Sequence, residues 1–225
     1  MFNKKLRRCN FDLWLETLVE ESAAVYSRRA ELNYWCDISA TRETEYITYA
    51  FENAEAVFAK YSNLQITDTL WYLIGVASDK MFILLDKRVT WKNKKRCIYS
   101  FIELNKELFA KRCSPLISHL GRVGNPDNVD NPLNSICYMW WDSFRFWGSV
   151  TGVPNRIDDL FFEVMVETLK IDHVACQEAS LHGLNHIPGY RMQVKEVVEQ
   201  FLRENPNLSS ELREYAIVAT WGGNQ

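Results

Sequence analysis

Residues 174–187, VACQEASLHGLNHI, are the stretch on which the fold turns. At 3.6 residues per turn, Cys176, Ser180, Gly183, Leu184 and Ile187 form one stripe of a helix, while Glu178, His182 and Asn185 lie on the far side. The close-packed stripe is the one built of small residues. A mid-helix glycine costs about 1 kcal/mol relative to alanine, so Gly183 is expected where a neighbouring helix lies against bare backbone. Pro188-Gly189 then ends the helix.

The following residues repeat the pattern. A step of thirty-six positions carries Phe161-Phe162-Glu163-Val164-Met165-Val166 onto Val197-Val198-Glu199-Gln200-Phe201-Leu202, and then Cys176 onto Leu212, Glu178 onto Glu214, Ser180 onto Ala216, Leu181 onto Ile217 and Gly183 onto Ala219. A period of this length with two helices per unit is the mark of an α-solenoid. The stretch from Phe161 to Gly222 resembles HEAT and armadillo-like repeats, although the Ala-Leu-Gly ending of a typical repeat stands here as Gly183-Leu184-Asn185. The resemblance implies an all-α, right-handed superhelix of antiparallel helix pairs whose concave side binds proteins or peptides. The expected organisation is a single helical domain over 1–225, with the repeat pair at about 156–222.

Composition narrows the class. No segment approaches the roughly 20 apolar residues of a membrane helix, and the basic start MFNKKLRRCNFDLW is interrupted by Asp12 and Glu16 before a secretory apolar run can form. A cytoplasmic protein is expected, without membrane partners. The net charge of −3 gives no general attraction to nucleic acid. Six scattered cysteines, without a C-x-x-C pair, read as buried free thiols.

Outside the repeat, an amphipathic run from Phe11 to about Cys36 is capped by Asn10, and a second helix starts after Thr41 and ends near residues 61–63. A third spans roughly Thr67 to Val76. Met81 to Leu85 is read as helix, because nothing else offers a strand to pair with. Another helix covers Asn93 to Lys111, and Arg112 to Asn131 forms the one long irregular stretch. Asn131-Pro132 opens a helix carrying Tyr138, Trp140, Trp141, Phe144, Phe146 and Trp147, and Asn155 or Asp158 starts the repeat pair.

Three groups of residues can carry function. Aromatics spread right round a helix cannot all enter one core, so Trp140, Trp141, Phe144, Arg145 and Trp147 are the expected partner-binding surface, with Trp141 as an anchor. Lys94, Lys95 and Arg96 lie at a helix start, where cations oppose the macrodipole, and are the candidate anion-binding site. Glu178, His182 and His186 climb one helix in steps of four and are the only metal-like grouping. His186 is rotated by about 80° from Glu178, and the expected state of both histidines is a solvated polar face with no cofactor.

No nucleophile elbow, phosphate-binding glycine loop or paired acidic motif is present. The reading is a non-catalytic interaction module, an adaptor, subunit or immunity-type protein, that binds a protein partner through its aromatic surface. The alternative is a nucleic-acid-binding solenoid similar to the alkylpurine DNA glycosylases, with Lys94, Lys95 and Arg96 on phosphates; the acidic balance disfavours it.

Overall fold

The computed structural model describes residues 5–6, 9–27, 34–36, 38–75, 78, 80–118, 131–142, 144 and 155–220. The helix starts among them follow from capping chemistry. Asn10 Oδ1 accepts a hydrogen bond from Leu13 N at 2.9 Å and opens α1, Phe11–Ser27. Ser39 accepts from Arg42 N and starts α2, Ala40–Glu52, which a single irregular residue separates from α3, Ala54–Val57. Helix α4, Asn63–Ile74, begins four residues before the expected Thr67, because Ser62 and Gln65 form a reciprocal capping box.

Lys80–Leu85 is a 3₁₀ helix, in keeping with the helical reading of this run. Helix α5, Trp91–Leu104, continues through a π turn at Asn105–Phe109 into α6, Ala110–Arg112. Asn131 and Pro132 start α7, Pro132–Tyr138, as the dipeptide predicts. Asn155 and Asp158 cap α8, Arg156–Leu169, which is followed by α9, Val174–His186, α10, Arg191–Glu204, and α11, Ser210–Ala219. Gly189 has φ of 86°, the left-handed conformation that ends a helix cheaply at glycine. The described chain is therefore all-α except for Lys5–Leu6 and Tyr34–Trp35, two residues each, paired in parallel.

Two further boundaries differ from the sequence reading. The first helix, described over Phe11–Ser27, does not reach Cys36, because Tyr34–Trp35 is extended. The aromatic helix stops at Tyr138, and Met139 to Asp142 form turns in which Trp140 N bonds back to Cys137 O. In these turns the adjacent Trp140 and Trp141 both enter the same core.

That core runs through the molecule. Helix α1 packs on α4, α2 on α5, α5 on α8, and α9 on α7, α8 and α11. Phe101 is its aromatic centre, 5.5 Å from Trp140 edge-to-face, 5.5 Å from Phe144 and 6.2 Å from Phe161 in stacked arrangements. Gly183 meets it as expected. A Cβ built there would lie 2.5 Å from Met165 Sδ and 2.7 Å from Trp141 Cγ, so the indole occupies the space a side chain would need.

The free-thiol reading needs one correction: Cys9 and Cys36 form a disulfide, their Cα atoms 5.4 Å apart, while Cys97, Cys113, Cys137 and Cys176 are buried and free. The pair is joined because the tip of α1 and the segment before α2 meet only in three dimensions. Disulfides persist in oxidising surroundings, so this pair gives the expected cytoplasmic location no support. Among the described residues no helix is long and apolar enough to cross a membrane.

Candidate metal centre on helix α9

Helix α9 has almost no solvent face. Every residue from Ala175 to Leu184 is buried, including Glu178 and His182, which the periodicity places outside. The correction has a simple cause: α7 and α11 cover the polar side and bring polar partners with them. Both carboxylate oxygens of Glu178 accept from Ser118 N at 2.8 Å. Glu178 thus holds the backbone of the segment after α6, and its carboxylate is not among the ligand atoms that converge with the histidines.

His182 is 8% exposed, with both ring nitrogens engaged. Its Nδ1 lies 2.8 Å from Tyr215 Oη on α11, and its Nε2 lies 2.8 Å from Asp142 Oδ2 in the turn after α7. The Tyr138 ring covers it at 4.2 Å between centroids, and the two tyrosine hydroxyls are 3.3 Å apart. His186, one turn further along α9 and exposed, places its ring 4.7 Å from that of His182. One ligand atom each from Asp142, His182 and His186 fall within 4.8 Å of one another, the only such trio of histidine, cysteine or carboxylate groups among the described residues.

The electrostatics match this arrangement. Burial works to raise the Asp142 carboxyl, but the His182 hydrogen bond and the electrostatic attraction of His182 and His186 outweigh it and hold the group below its ordinary value. The Tyr215 phenol is driven far up, first by burial and then by Tyr138 and the nearby carboxylates; burial also raises Tyr138. Both tyrosines therefore stay neutral donors. Tyr138, His182, Asn185, His186 and Tyr215 line a cavity of about 70 Å³, room for several waters.

The other expected sites fare differently. Trp140, Trp141 and Phe144, expected on a partner-binding surface, are buried core residues, their rings packed on Phe51, Phe101, Phe109 and Phe161. Arg145 and Trp147 lie outside the described residues. In the basic cluster, Arg96 makes a two-point ion pair with Glu52, at 2.8 and 2.6 Å, and Lys95 sits over the Tyr99 ring at 5.4 Å. Arg88 pairs with Asp86 at 2.6 Å. Part of the charge that pointed to an anionic partner is thus offset by the protein's own carboxylates.

Sequence reasoning found His182 and His186 but missed Asp142, which stands 40 residues before His182. No local signal joins them. No protein-family model matches this chain, and comparisons with curated proteins and with solved structures also find no match.

Proposed function

We propose that this all-helical protein binds a divalent transition-metal ion, zinc being the test case, through His182, His186 and Asp142. The observation that carries the reading is the convergence of those three ligand atoms from two separate elements to within 4.8 Å. Two imidazoles and a carboxylate suit zinc and its neighbours. The Tyr215 hydroxyl, 2.8 Å from His182 Nδ1, fits the role of an outer partner: with an ion on Nε2, Nδ1–H would donate to it and hold the ring, an arrangement that accompanies most metal-bound histidines. Three protein ligands beside a small polar cavity leave a coordination position for water or a small ligand, the pattern of sites that use metals chemically.

This reading replaces an interaction module anchored on Trp140 and Trp141, because those anchors are inside. The helix pairs α8–α9 and α10–α11 are read as two units of a HEAT-like array, supported by the starts of α9 and α11 at 174 and 210. The test is zinc titration of the metal-free protein by calorimetry, with elemental analysis. One zinc per chain is expected, weakened about tenfold or more by His182→Ala and by His186→Ala, and about 10- to 100-fold by loss of the outer hydroxyl in Tyr215→Phe. Stoichiometric zinc unaffected by the histidine changes, or no zinc at all, overturns the reading.

A further inference from the structure

Three of the free cysteines stand together where the segment after α6 meets α7 and α9. Asn131 Nδ2 donates to Arg112 O at 2.6 Å, and the Asn134 side chain accepts from Ser114 N at 2.8 Å and donates to Ser114 O at 2.9 Å. The start of α7 therefore grips the chain on both sides of Cys113. Cys137, one turn beyond Asn134 in α7, donates its thiol to Ala175 O at 3.6 Å, next to Cys176 in α9. Cys176 in turn donates to Asn105 O at 3.7 Å, at the start of the π turn. The Cys137 thiol interacts with those of both Cys113 and Cys176, so the sulfurs form a row with Cys137 in the middle.

The row is graded in access and in acidity. Cys113, at its edge, is 7% exposed, while Cys137 and Cys176 are at 0%. Burial, and then the two neighbouring thiols, push Cys137 well above its ordinary value, whereas Cys137 and then His173 draw Cys176 down to about 6 against the effect of burial. His173 stands at the N-cap of α9, and its Nδ1 is buried without a hydrogen-bond partner; an imidazole beside a thiol favours the thiolate. Among the described residues a trio of ligand atoms within 4.8 Å occurs only at Asp142, His182 and His186, so the thiols and His173 do not form a metal cage. Chemistry that joins sulfurs in pairs suits a row.

We propose that Cys113, Cys137 and Cys176 are a redox-active thiol relay, in which a hydroperoxide oxidises Cys113 at the edge and the resulting disulfide passes to the buried pair Cys137–Cys176. The Cys113 sulfur attacks an oxygen of the peroxide and the O–O bond breaks; the sulfur becomes a sulfenic acid, and its proton leaves with the displaced oxygen as alcohol or water. Cys137 attacks that sulfenic sulfur, forming the first S–S bond and releasing water. The Cys176 thiolate then attacks Cys137 Sγ and expels Cys113 as a thiolate, which takes up a proton. One sulfur pair supplies both electrons that reduce the peroxide. The last step runs inward because exchange needs a thiolate as the attacking group, and Cys176 is the acidic member of the row. Cys97, also buried but outside the row, is held as a thiol by burial, which pushes it up to about 12.

The test treats the full chain with stoichiometric hydrogen peroxide in metal-free buffer, quenches with an alkylating reagent at successive times and maps the peptides by mass spectrometry. In the unaltered protein a Cys113–Cys137 linkage is expected first and a Cys137–Cys176 linkage after it, with Cys97 alkylated as a free thiol once the quenched protein is unfolded. Cys176→Ser is expected to hold the oxidised protein at Cys113–Cys137. Cys113→Ser is expected to lose the Cys137–Cys176 linkage over the same times, and Cys137→Ser to leave Cys113 as a sulfenic acid that dimedone captures. The order of linkages in the unaltered protein tests the relay even where a variant fails to fold. The absence of any disulfide within the row overturns the proposal, as does oxidation of Cys97 at the same rate or a Cys137–Cys176 linkage that forms as fast without Cys113.

Discussion

Trp141 and Asp142 are neighbours in sequence, yet they serve opposite sides of the same joint with α9. Trp141 lies against Gly183, with no room for even a Cβ between them. Asp142 meets His182 beside a cavity lined by Tyr138, Tyr215, both histidines, Asn185, Val218 and Ala219. Packing on the first side is saturated and fixes where α9 sits; the second side keeps space and titratable groups at a cost in buried polarity. The difference separates residues that hold the fold from residues available for chemistry, and exposure does not draw that line, since Trp141 and His182 are both buried.

The comparison can be broken most directly at its packed side. Trp141→Ala removes a fully buried indole and is expected to cost about 3 to 5 kcal/mol, read as a lowered denaturation midpoint. A variant as stable as the parent would mean that the indole does not hold α9. Gly183→Ala pushes a methyl into Met165 and Trp141 and should cost about 1 to 3 kcal/mol by overpacking; thermal melts of the same preparation give the answer.

On the polar side, stability and binding should come apart. His182→Ala strands Asp142 and Tyr215 without their shared partner, with an expected loss of about 1 to 3 kcal/mol together with loss of zinc binding. His186 is exposed, so His186→Ala should leave stability within about 0.5 kcal/mol in metal-free buffer while still weakening zinc. Added zinc should then raise the melting temperature of the parent more than that of this variant, because a ligand stabilises the state that binds it in proportion to its affinity. Equal zinc stabilisation of both proteins would remove His186 from the centre. The smallest effect is expected at the basic cluster: Lys94→Ala with Lys95→Ala should change stability by less than about 0.5 kcal/mol and leave zinc affinity unchanged in the same titration.

How far the sequence carries the reader depends on the distance over which its signals act. Caps and turns are local, and Asn10, Asn131-Pro132, Asn155 and Pro188-Gly189 mark helix ends where the structure has them. The burial of Gly183 was legible too, because a glycine kept inside a helix implies a close neighbour. The identity of that neighbour was not. Periodicity assigns a face to each residue on the premise that one side of a helix is wet, and α9 violates the premise.

By itself, then, the sequence determined the helical class, most helix starts, the histidine pair one turn apart and the tight contact at Gly183, all set by interactions within a few residues. Only the tertiary structure decided that Trp140, Trp141 and Phe144 belong to the core, that Cys9 joins Cys36, that Glu52 neutralises Arg96, and that Asp142 rather than Glu178 stands with the histidines. Each of those outcomes is a contact between residues at least tens of positions apart or a helix end shifted to permit one. Such contacts depend on which helices cover one another, a choice made by the packing of the whole core and written in no single stretch of chain.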